Sequence, residues 1–187
     1  MERNWNKLDR FAIGVSGKIG SGKTTFIRRL CEEHDFAVAS FGTFFRKLAE
    51  DRNLPSNREV FQNITDEYFS KHNHIDLVTE VINKSGWNKE NKLLLDGMRY
   101  AETIPAVSNI IHPVPLFLVY INVSENERIK RIEKRDNLRP NILKQHETHE
   151  SESAVYKQII SAADLIIGDT DLNDAVAKLY NFIAKQQ

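Results

Sequence analysis

Among 187 residues the chain has one cysteine, Cys31, so no disulfide can form within it. Its 26 basic and 26 acidic side chains give a net charge of +0. The chain therefore has no excess of positive charge that would indicate binding to nucleic acid or an anionic membrane. The longest apolar run, 113–123, is too short to cross a bilayer and contains two prolines. The first seven residues lack the apolar core of a signal peptide. We therefore expect a cytoplasmic protein whose partners include neither nucleic acid nor membrane.

The remaining composition, 41% hydrophobic and 28% charged, is typical of a globular chain that can bury a core. The length fits a single domain, 1–187. Strand-like and helix-like segments alternate, which favours an α/β fold with a parallel sheet covered on both faces. The predicted strands are 11–16, 36–40, 92–96, 116–123 and 164–167. The predicted helices are 23–34, 43–52, 56–71, 75–85, 124–135, 153–163 and 172–184.

A phosphate-binding loop of the form G-x-x-x-x-G-K-S/T follows the first predicted strand and opens the first predicted helix, which is the context this motif requires. Its glycines let successive backbone N–H groups turn towards a phosphate, and the helix N-terminus adds its dipole. Lys23 is expected to reach the β- and γ-phosphates of a nucleotide, and the Thr24 hydroxyl to bind Mg²⁺. The motif alone does not choose among kinase, ATPase, GTPase and inactive binder. The expected ATP-binding residues are Gly17, Lys18, Ile19, Gly20, Ser21, Gly22, Lys23, Thr24 and Thr25.

Two further patterns follow the second and third predicted strands. Gly42 would let the chain turn sharply, and Arg46 comes about one helical turn later, where a guanidinium can hold a phosphate with two bonds. Asp96 ends the third strand and can hold Mg²⁺ beside a phosphate loop, while Arg99 follows it. Ligands bind at the carboxyl ends of parallel strands, so we expect both patterns at the edge that carries the loop. The plainer interpretations are an exposed helix arginine and an Asp-Gly turn.

Three arginines lie near one face of the predicted helix 124–135, namely Arg128, Arg131 and Arg135. Like charges along one face repel unless anions neutralise them, and nearby glutamates supply part of that neutralisation. A solvated helix face is the plain interpretation. The functional interpretation is that two of the arginines clamp the transferring phosphoryl group, whose charge is spread over three oxygens.

The polar segment 136–152 lacks periodicity, so we expect a mobile lid or loop there. Within it, His146 and His149 are three residues apart, whereas the zinc-protease helix needs a spacing of four, so no metal site is expected. The residues 168–170 after the last strand could form a wall for a nucleotide base, but a turn and helix cap is the better default.

In combination these motifs resemble those of the nucleoside monophosphate kinases, adenylate kinase above all, and their shikimate, cytidylate and dephospho-coenzyme-A kinase relatives. The stretch 41–46 is similar to T-G-D-x-x-R, 96–99 to D-G-F-P-R and 131–135 to R-x-x-x-R, while the strand 163–167 resembles the tails of cytidylate and dephospho-coenzyme-A kinases. The resemblance implies a five-stranded parallel sheet, an acceptor-binding arm at about 43–85 and a lid at about 136–152.

The resemblance also implies a reaction, in which ATP with Mg²⁺ phosphorylates a nucleoside monophosphate or a similar small phosphorylated acceptor. The acceptor residues would be Gly42, Arg46 and Arg99, and the metal ligands Thr24 and Asp96. The catalytic residues would be Lys23, Asp96, Arg131 and Arg135.

Two alternatives stay open. A kinase acting on dephospho-coenzyme A or another small molecule would share the loop and the fold. A nucleotide-binding regulator with little turnover would also fit, because Thr43 replaces the aspartate of T-G-D and the 96–99 stretch is one residue shorter than D-G-F-P-R.

Overall fold

The computed structural model describes residues 10–136 and 150–186. The strands are β1 (Ala12–Ser16), β2 (Phe36–Ser40), β3 (Lys92–Asp96), β4 (Leu116–Ile121) and β5 (Leu165–Ile167). All five are parallel and form one sheet in the order β2-β3-β1-β4-β5. This arrangement confirms the predicted α/β class and the five-stranded parallel sheet.

Helices cover both faces of this sheet. Side chains that alternate along β3 enter different cores, since Leu94 packs on one face and Leu93 and Leu95 on the other. The described helices are α1 (Lys23–Glu33), α2 (Phe41–Asp51), α3 (Arg58–Phe69), α4 (His74–Lys84), α5 (Thr103–Ile111), α6 (Glu125–Asp136), α7 (Glu150–Ser161) and α8 (Leu172–Ala184). The core around Leu94 joins β1 to α1 and α8. The core around Leu93 and Leu95 joins the opposite face to α2, α4, α5 and α7.

Most predicted elements are found within a few residues of their expected bounds, but α5 has no counterpart in the prediction. Its sequence carries Pro105 near the start, which looks like a helix breaker. Proline is tolerated in the first turn because the backbone N–H groups there have no partner inside the helix. None of the described helices is long and apolar enough to span a membrane.

The strand register brings three strand ends to one place. Val15 near the end of β1 lies opposite Asp96, which ends β3, and Ser40 at the end of β2 lies opposite the same aspartate. On the other side of β1, Ser16 lies opposite Tyr120 of β4. In the predicted arm, α2 packs against α3, whereas α4 packs against β2 and α5. The predicted lid falls mostly outside the described residues.

Candidate functional site

The loop after β1 curls back on itself before α1 begins. The Ser21 N–H donates to the Lys18 carbonyl at 3.1 Å, and Gly22 caps α1 in a left-handed conformation at φ 94°. Gly17 and Gly20 also have positive φ, 147° and 79°. Residues with a Cβ resist such angles, so the glycines permit the curl that aims backbone N–H groups inward.

At two of these glycines a larger side chain would also collide with neighbouring atoms. A Cβ on Gly17 would lie 2.6 Å from the Ile121 carbonyl oxygen at the end of β4. A Cβ on Gly20 would lie 2.7 Å from Ile132 and 2.9 Å from the Arg128 carbonyl oxygen, both on α6. The loop is therefore packed tightly between β4 and α6.

Lys23 lies across the mouth of this curl. Its Nζ donates to the Gly17 carbonyl at 2.5 Å and to the Lys18 carbonyl at 3.1 Å. Burial, and after it the Arg99 guanidinium, lower the pKa of Lys23 from 10.5 to about 8, while the Asp96 carboxylate acts in the opposite direction. A bound anion would stabilise the charged form of this buried lysine.

Ser21 adds a polar atom that is ready for a ligand. Its side chain is 2% exposed, and within the described residues its Oγ has no hydrogen-bond partner. A buried hydroxyl without a partner is unfavourable, and a phosphate oxygen would satisfy it. The donor set of this loop therefore fits a bound phosphate group.

The end of β3 lies beside the loop. The Gly97 N–H donates to the Val15 carbonyl at 3.1 Å, and Gly97 has a φ of 82° that a larger residue would resist. The Ser16 hydroxyl donates to the carbonyl of Met98 at 2.6 Å. Arg99 is exposed, yet its charge is among the main causes of the lowered pKa of Lys23. The structure thus brings Asp96 and Arg99 to the phosphate loop.

A chain of hydrogen bonds leads from Asp96 to Arg46. The Ser40 hydroxyl donates to Asp96 Oδ2 at 3.1 Å and accepts from the Thr43 N–H at 3.2 Å, and Arg46 Nη2 donates to the Thr43 hydroxyl at 2.9 Å. Arg46 is exposed in the second turn of α2. It therefore lies on the β2 flank of the same sheet edge.

The predicted sharp turn at Gly42 is wrong. Ser40 caps α2 directly, so the helix begins at Phe41 and Gly42 lies in its first turn without a positive φ. A Cβ on Gly42 would meet only Arg46 Nη2, at 3.8 Å. The small residue leaves open space beside this guanidinium, which keeps Gly42 and Arg46 together as acceptor candidates.

Two arginines of α6 hold the loop by its carbonyl groups. Arg131 Nη1 donates to the Ser21 carbonyl at 3.1 Å, and its Nε donates to Glu127 at 3.3 Å. Arg128 is 4% exposed, and its Nη1 donates to the Ile19 carbonyl at 3.1 Å. The Arg135 side chain lies outside the described part of the chain.

Sequence reasoning left Arg128 out of the predicted clamp. A signal for it was present, because Arg128 precedes the apolar Ile132 by four residues and so shares its helix face. Ile132 is 3% exposed, and that face is the one packed on the loop. Arg128 is thus a buried loop contact rather than part of a solvated surface.

The remaining sequence patterns have simpler roles. Asp169 accepts from the Ser124 N–H at 3.0 Å, and Asp171 caps α8 by accepting from the Asp174 N–H. Asp169 thus binds the residue before α6, and the cap of α8 is Asp171, one residue beyond 168–170. His146 and His149 lie outside the described residues.

The oxygen donors of Thr24 and Asp96 fit a magnesium ion better than a transition metal. Thr24 offers an exposed hydroxyl and Asp96 a carboxylate, while the described residues contain no group of three or more His, Cys, Asp or Glu side chains that could hold a metal ion. Mg²⁺ is typically held by one or two protein oxygens together with water and substrate phosphates.

Comparison with known proteins identifies the family. The family AAA_18, described as an AAA domain, matches residues 13–155. The cytidylate kinase of Methanocella arvoryzae is 30% identical over 173 residues, which cover 92% of this chain and 90% of that protein. The cytidylate kinase of Thermoplasma acidophilum is 27% identical over 172 residues, covering 89% and 85%. The chain belongs to the P-loop nucleoside monophosphate kinase family.

Solved structures agree on the fold. A shikimate kinase from Acinetobacter baumannii, in complex with shikimate, matches 100% of this chain and 99% of its own with a TM-score of 0.57 at 17% identity. An uncharacterized protein from Eubacterium ventriosum matches 93% and 98% with a TM-score of 0.60 at 16% identity. These likenesses show the P-loop kinase-like architecture alone.

Proposed function

We propose that the protein transfers the γ-phosphoryl group of ATP to a pyrimidine nucleoside monophosphate, with CMP as the first candidate. One observation carries the proposal: Arg99 follows an end of β3 that is bonded to the strand before the phosphate loop, through the Ser16 hydroxyl and the Met98 carbonyl at 2.6 Å. Donor and acceptor anions could therefore be held against each other across adjacent strands. The names of the two cytidylate kinases support the choice of acceptor.

The reaction needs positioning more than covalent chemistry. An oxygen of the acceptor's phosphate attacks the γ-phosphorus, the bond from phosphorus to the β–γ bridging oxygen breaks, and the products are ADP and a nucleoside diphosphate. Lys23 and the loop N–H groups hold the β- and γ-phosphates, while Arg99 and Arg46 hold the acceptor's phosphate. The guanidinium of Arg131 lies on the loop at Ser21, where it can add positive charge as the transition state forms.

Mg²⁺, when bound, would neutralise phosphate charge. Thr24 and Asp96 would hold it. Ser40 has a positioning role here, because its hydroxyl donates to Asp96 Oδ2 and leaves the other carboxylate oxygen for a second partner.

The direct test is a panel of acceptors in an assay coupled to ADP formation. CMP and UMP are expected to stimulate ADP release well above the rate with ATP alone, and cytidine and shikimate are expected to have no effect. A response to an alcohol without phosphate would leave Arg46 and Arg99 without a role and would overturn the proposal.

Removing the acceptor arginines is expected to separate the two substrates. Arg99→Met and Arg46→Met should each raise the acceptor KM about ten- to a hundredfold, since a charge-assisted contact contributes about 1.5–3 kcal/mol. The Kd for ATP, measured by calorimetry at about pH 7, where Lys23 is mostly charged in all variants, should change less than about threefold. Lys47→Met, which removes an exposed charge from the next residue of the same helix, is the matched control and should leave both constants unchanged. Equal losses for ATP and acceptor would contradict the assignment.

ATP affinity is expected to fall as the pH rises through about 8. The ligand-free protein loses the charge of Lys23 above that pH, whereas the terminal phosphate, with a second pKa near 6, stays fully ionised. Binding then requires Lys23 to take up a proton, so affinity should drop up to about tenfold per pH unit. Calorimetry from pH 7 to 9.5 in buffers of different ionisation enthalpy measures both the Kd and the proton uptake.

Arg99→Met is a control that should shift the pH dependence of ATP affinity in a known direction. Its guanidinium is the second-largest cause of the lowered pKa of Lys23, so its removal should raise that pKa and move the fall in ATP affinity to higher pH. An ATP affinity that stays constant up to pH 9.5 would show that Lys23 does not titrate in this range.

A further inference from the structure

Lys18 is a second lysine inside the phosphate loop, and its side chain has no role in the mechanism above. Its carbonyl shapes the curl by accepting from Ser21 and from Lys23. The ammonium of Lys18 lies over the ring of Tyr156, 5.8 Å from its centre. Within the part of the chain that the structure describes, no carboxylate lies within 4.0 Å of this ammonium.

The ring beneath Lys18 is itself firmly placed. Tyr156 is 6% exposed, belongs to α7, and meets the ring of Tyr120 edge-on at 6.5 Å. Tyr120 is 1% exposed and lies opposite Ser16, the residue before the loop. The ring therefore offers a fixed resting place for the ammonium, on the β4 side of the loop.

The sheet order places the two outer cations on opposite flanks. Arg99 follows β3, which pairs with one side of β1, whereas Lys18 rests on a tyrosine packed against β4, which pairs with the other side. A phosphate chain in the loop would thus have a cation on each side. Lys23 lies between them at the mouth of the curl.

The ring contact is the weaker of the two attractions open to Lys18. A separation of 5.8 Å is close to the limit of about 6 Å at which cation–π attraction counts. A charge-assisted hydrogen bond to a phosphate oxygen is roughly twice as strong as a neutral one. An ammonium on a flexible four-carbon stem can reach such an oxygen when the loop is occupied.

We propose that the Lys18 side chain contacts the γ-phosphoryl group of a bound nucleoside triphosphate, and that Tyr156 holds it over the β4 flank when the loop is empty. The inference rests on the proposed function only in taking ATP as the donor. It adds a residue that discriminates the triphosphate from the diphosphate, and so favours release of ADP after transfer.

The test compares ATP with ADP binding by calorimetry, with no acceptor present. Lys18→Met is expected to weaken ATP binding about tenfold or more, because one charge-assisted contact is lost, and to weaken ADP binding less than about twofold. Lys18→Arg keeps the charge and should retain most of the preference for ATP. Lys157→Met removes an exposed lysine next to Tyr156 and is the matched control, expected to change neither Kd.

Tyr156→Leu tests the resting place separately. Because the ring is assigned to hold Lys18 only while the loop is empty, this variant should keep the preference for ATP over ADP, with a thermal melt reporting any loss of the buried contacts of Tyr156. Equal weakening of ATP and ADP by Lys18→Met would reduce Lys18 to a loop-shaping residue, and no weakening of either would make it a surface cation.

These outcomes are distinct from those of the acceptor panel. A wild-type protein that binds ATP but phosphorylates no nucleoside monophosphate would sink the proposed function and leave the Lys18 assignment standing. Equal weakening of ATP and ADP binding by Lys18→Met, beside normal CMP phosphorylation by the wild type, would overturn only the assignment.

Discussion

Lys23→Met is expected to lower phosphoryl transfer by about 10²–10³-fold, the usual cost of removing one preorganised group that stabilises transition-state charge. The lysine lies at the mouth of the loop, bonded to the Gly17 and Lys18 carbonyls. A bound triphosphate would replace those carbonyls as its partner, and methionine offers the same length without the charge. The measurement is kcat and ATP Kd with CMP as acceptor.

The same variant should fold normally. Burial of the ammonium and the nearby Arg99 charge lower the pKa of Lys23 from 10.5 to about 8, which disfavours the charged folded state by about 3 kcal/mol. Methionine removes that cost but leaves the Gly17 carbonyl without this donor, a loss of about 1–3 kcal/mol. The two terms nearly cancel, so the free energy of unfolding without ligand should change little. A large fall in the melting temperature would mean that Lys23 supports the fold rather than the ligand.

Gly20→Ala is expected to have the second-largest effect, on both ATP affinity and stability. The new Cβ would lie 2.7 Å from Ile132 and 2.9 Å from the Arg128 carbonyl, at a φ of 79°. Strain at positive φ costs about 1–2 kcal/mol, and overpacking adds about 1–3 kcal/mol. Relief requires the loop to move away from α6, which would also disturb the bonds from Arg128 and Arg131. Denaturant unfolding and calorimetry with ATP measure the two effects.

Gly86→Ala is the matched control for that substitution. Gly86 has a φ of 71°, and a Cβ there would meet nothing within 4 Å. It carries the backbone strain without the collision, so the difference between the two variants isolates the packing of the loop on α6. Equal destabilisation, with ATP affinity intact in both, would show that this packing does not shape the phosphate site.

The phosphate loop could be predicted from the sequence because its constraints are local. The motif fixes where positive φ is needed, and Gly17, Gly20 and Gly22 take those angles. The strands could be predicted because residues such as Leu93–Leu95 are buried on both faces of a parallel sheet and form continuous apolar runs. Asp96 was placed at the loop by the general rule that strand ends converge.

The rest depended on contacts between distant residues. Arg128 is buried only because α6 packs on a loop more than a hundred positions earlier in the chain. Gly42 was interpreted as a turn, but the Ser40 side chain caps α2 and the helix begins at once. A single side-chain hydrogen bond therefore decides between the turn and the helix at this position. The cation–π contact between Lys18 in the loop and Tyr156 on α7 joins distant parts of the chain, and no spacing rule relates the two positions.

The proposed reaction is tested most directly by following the γ-phosphoryl group itself. ATP labelled with radioactive phosphorus in that group is incubated with the wild-type protein and CMP, and the products are separated by chromatography. If the phosphate loop holds ATP and Arg46 and Arg99 hold CMP beside it, the label moves into CDP and little inorganic phosphate forms. Label that appears only as inorganic phosphate, at the same rate with and without CMP, would contradict transfer to an acceptor.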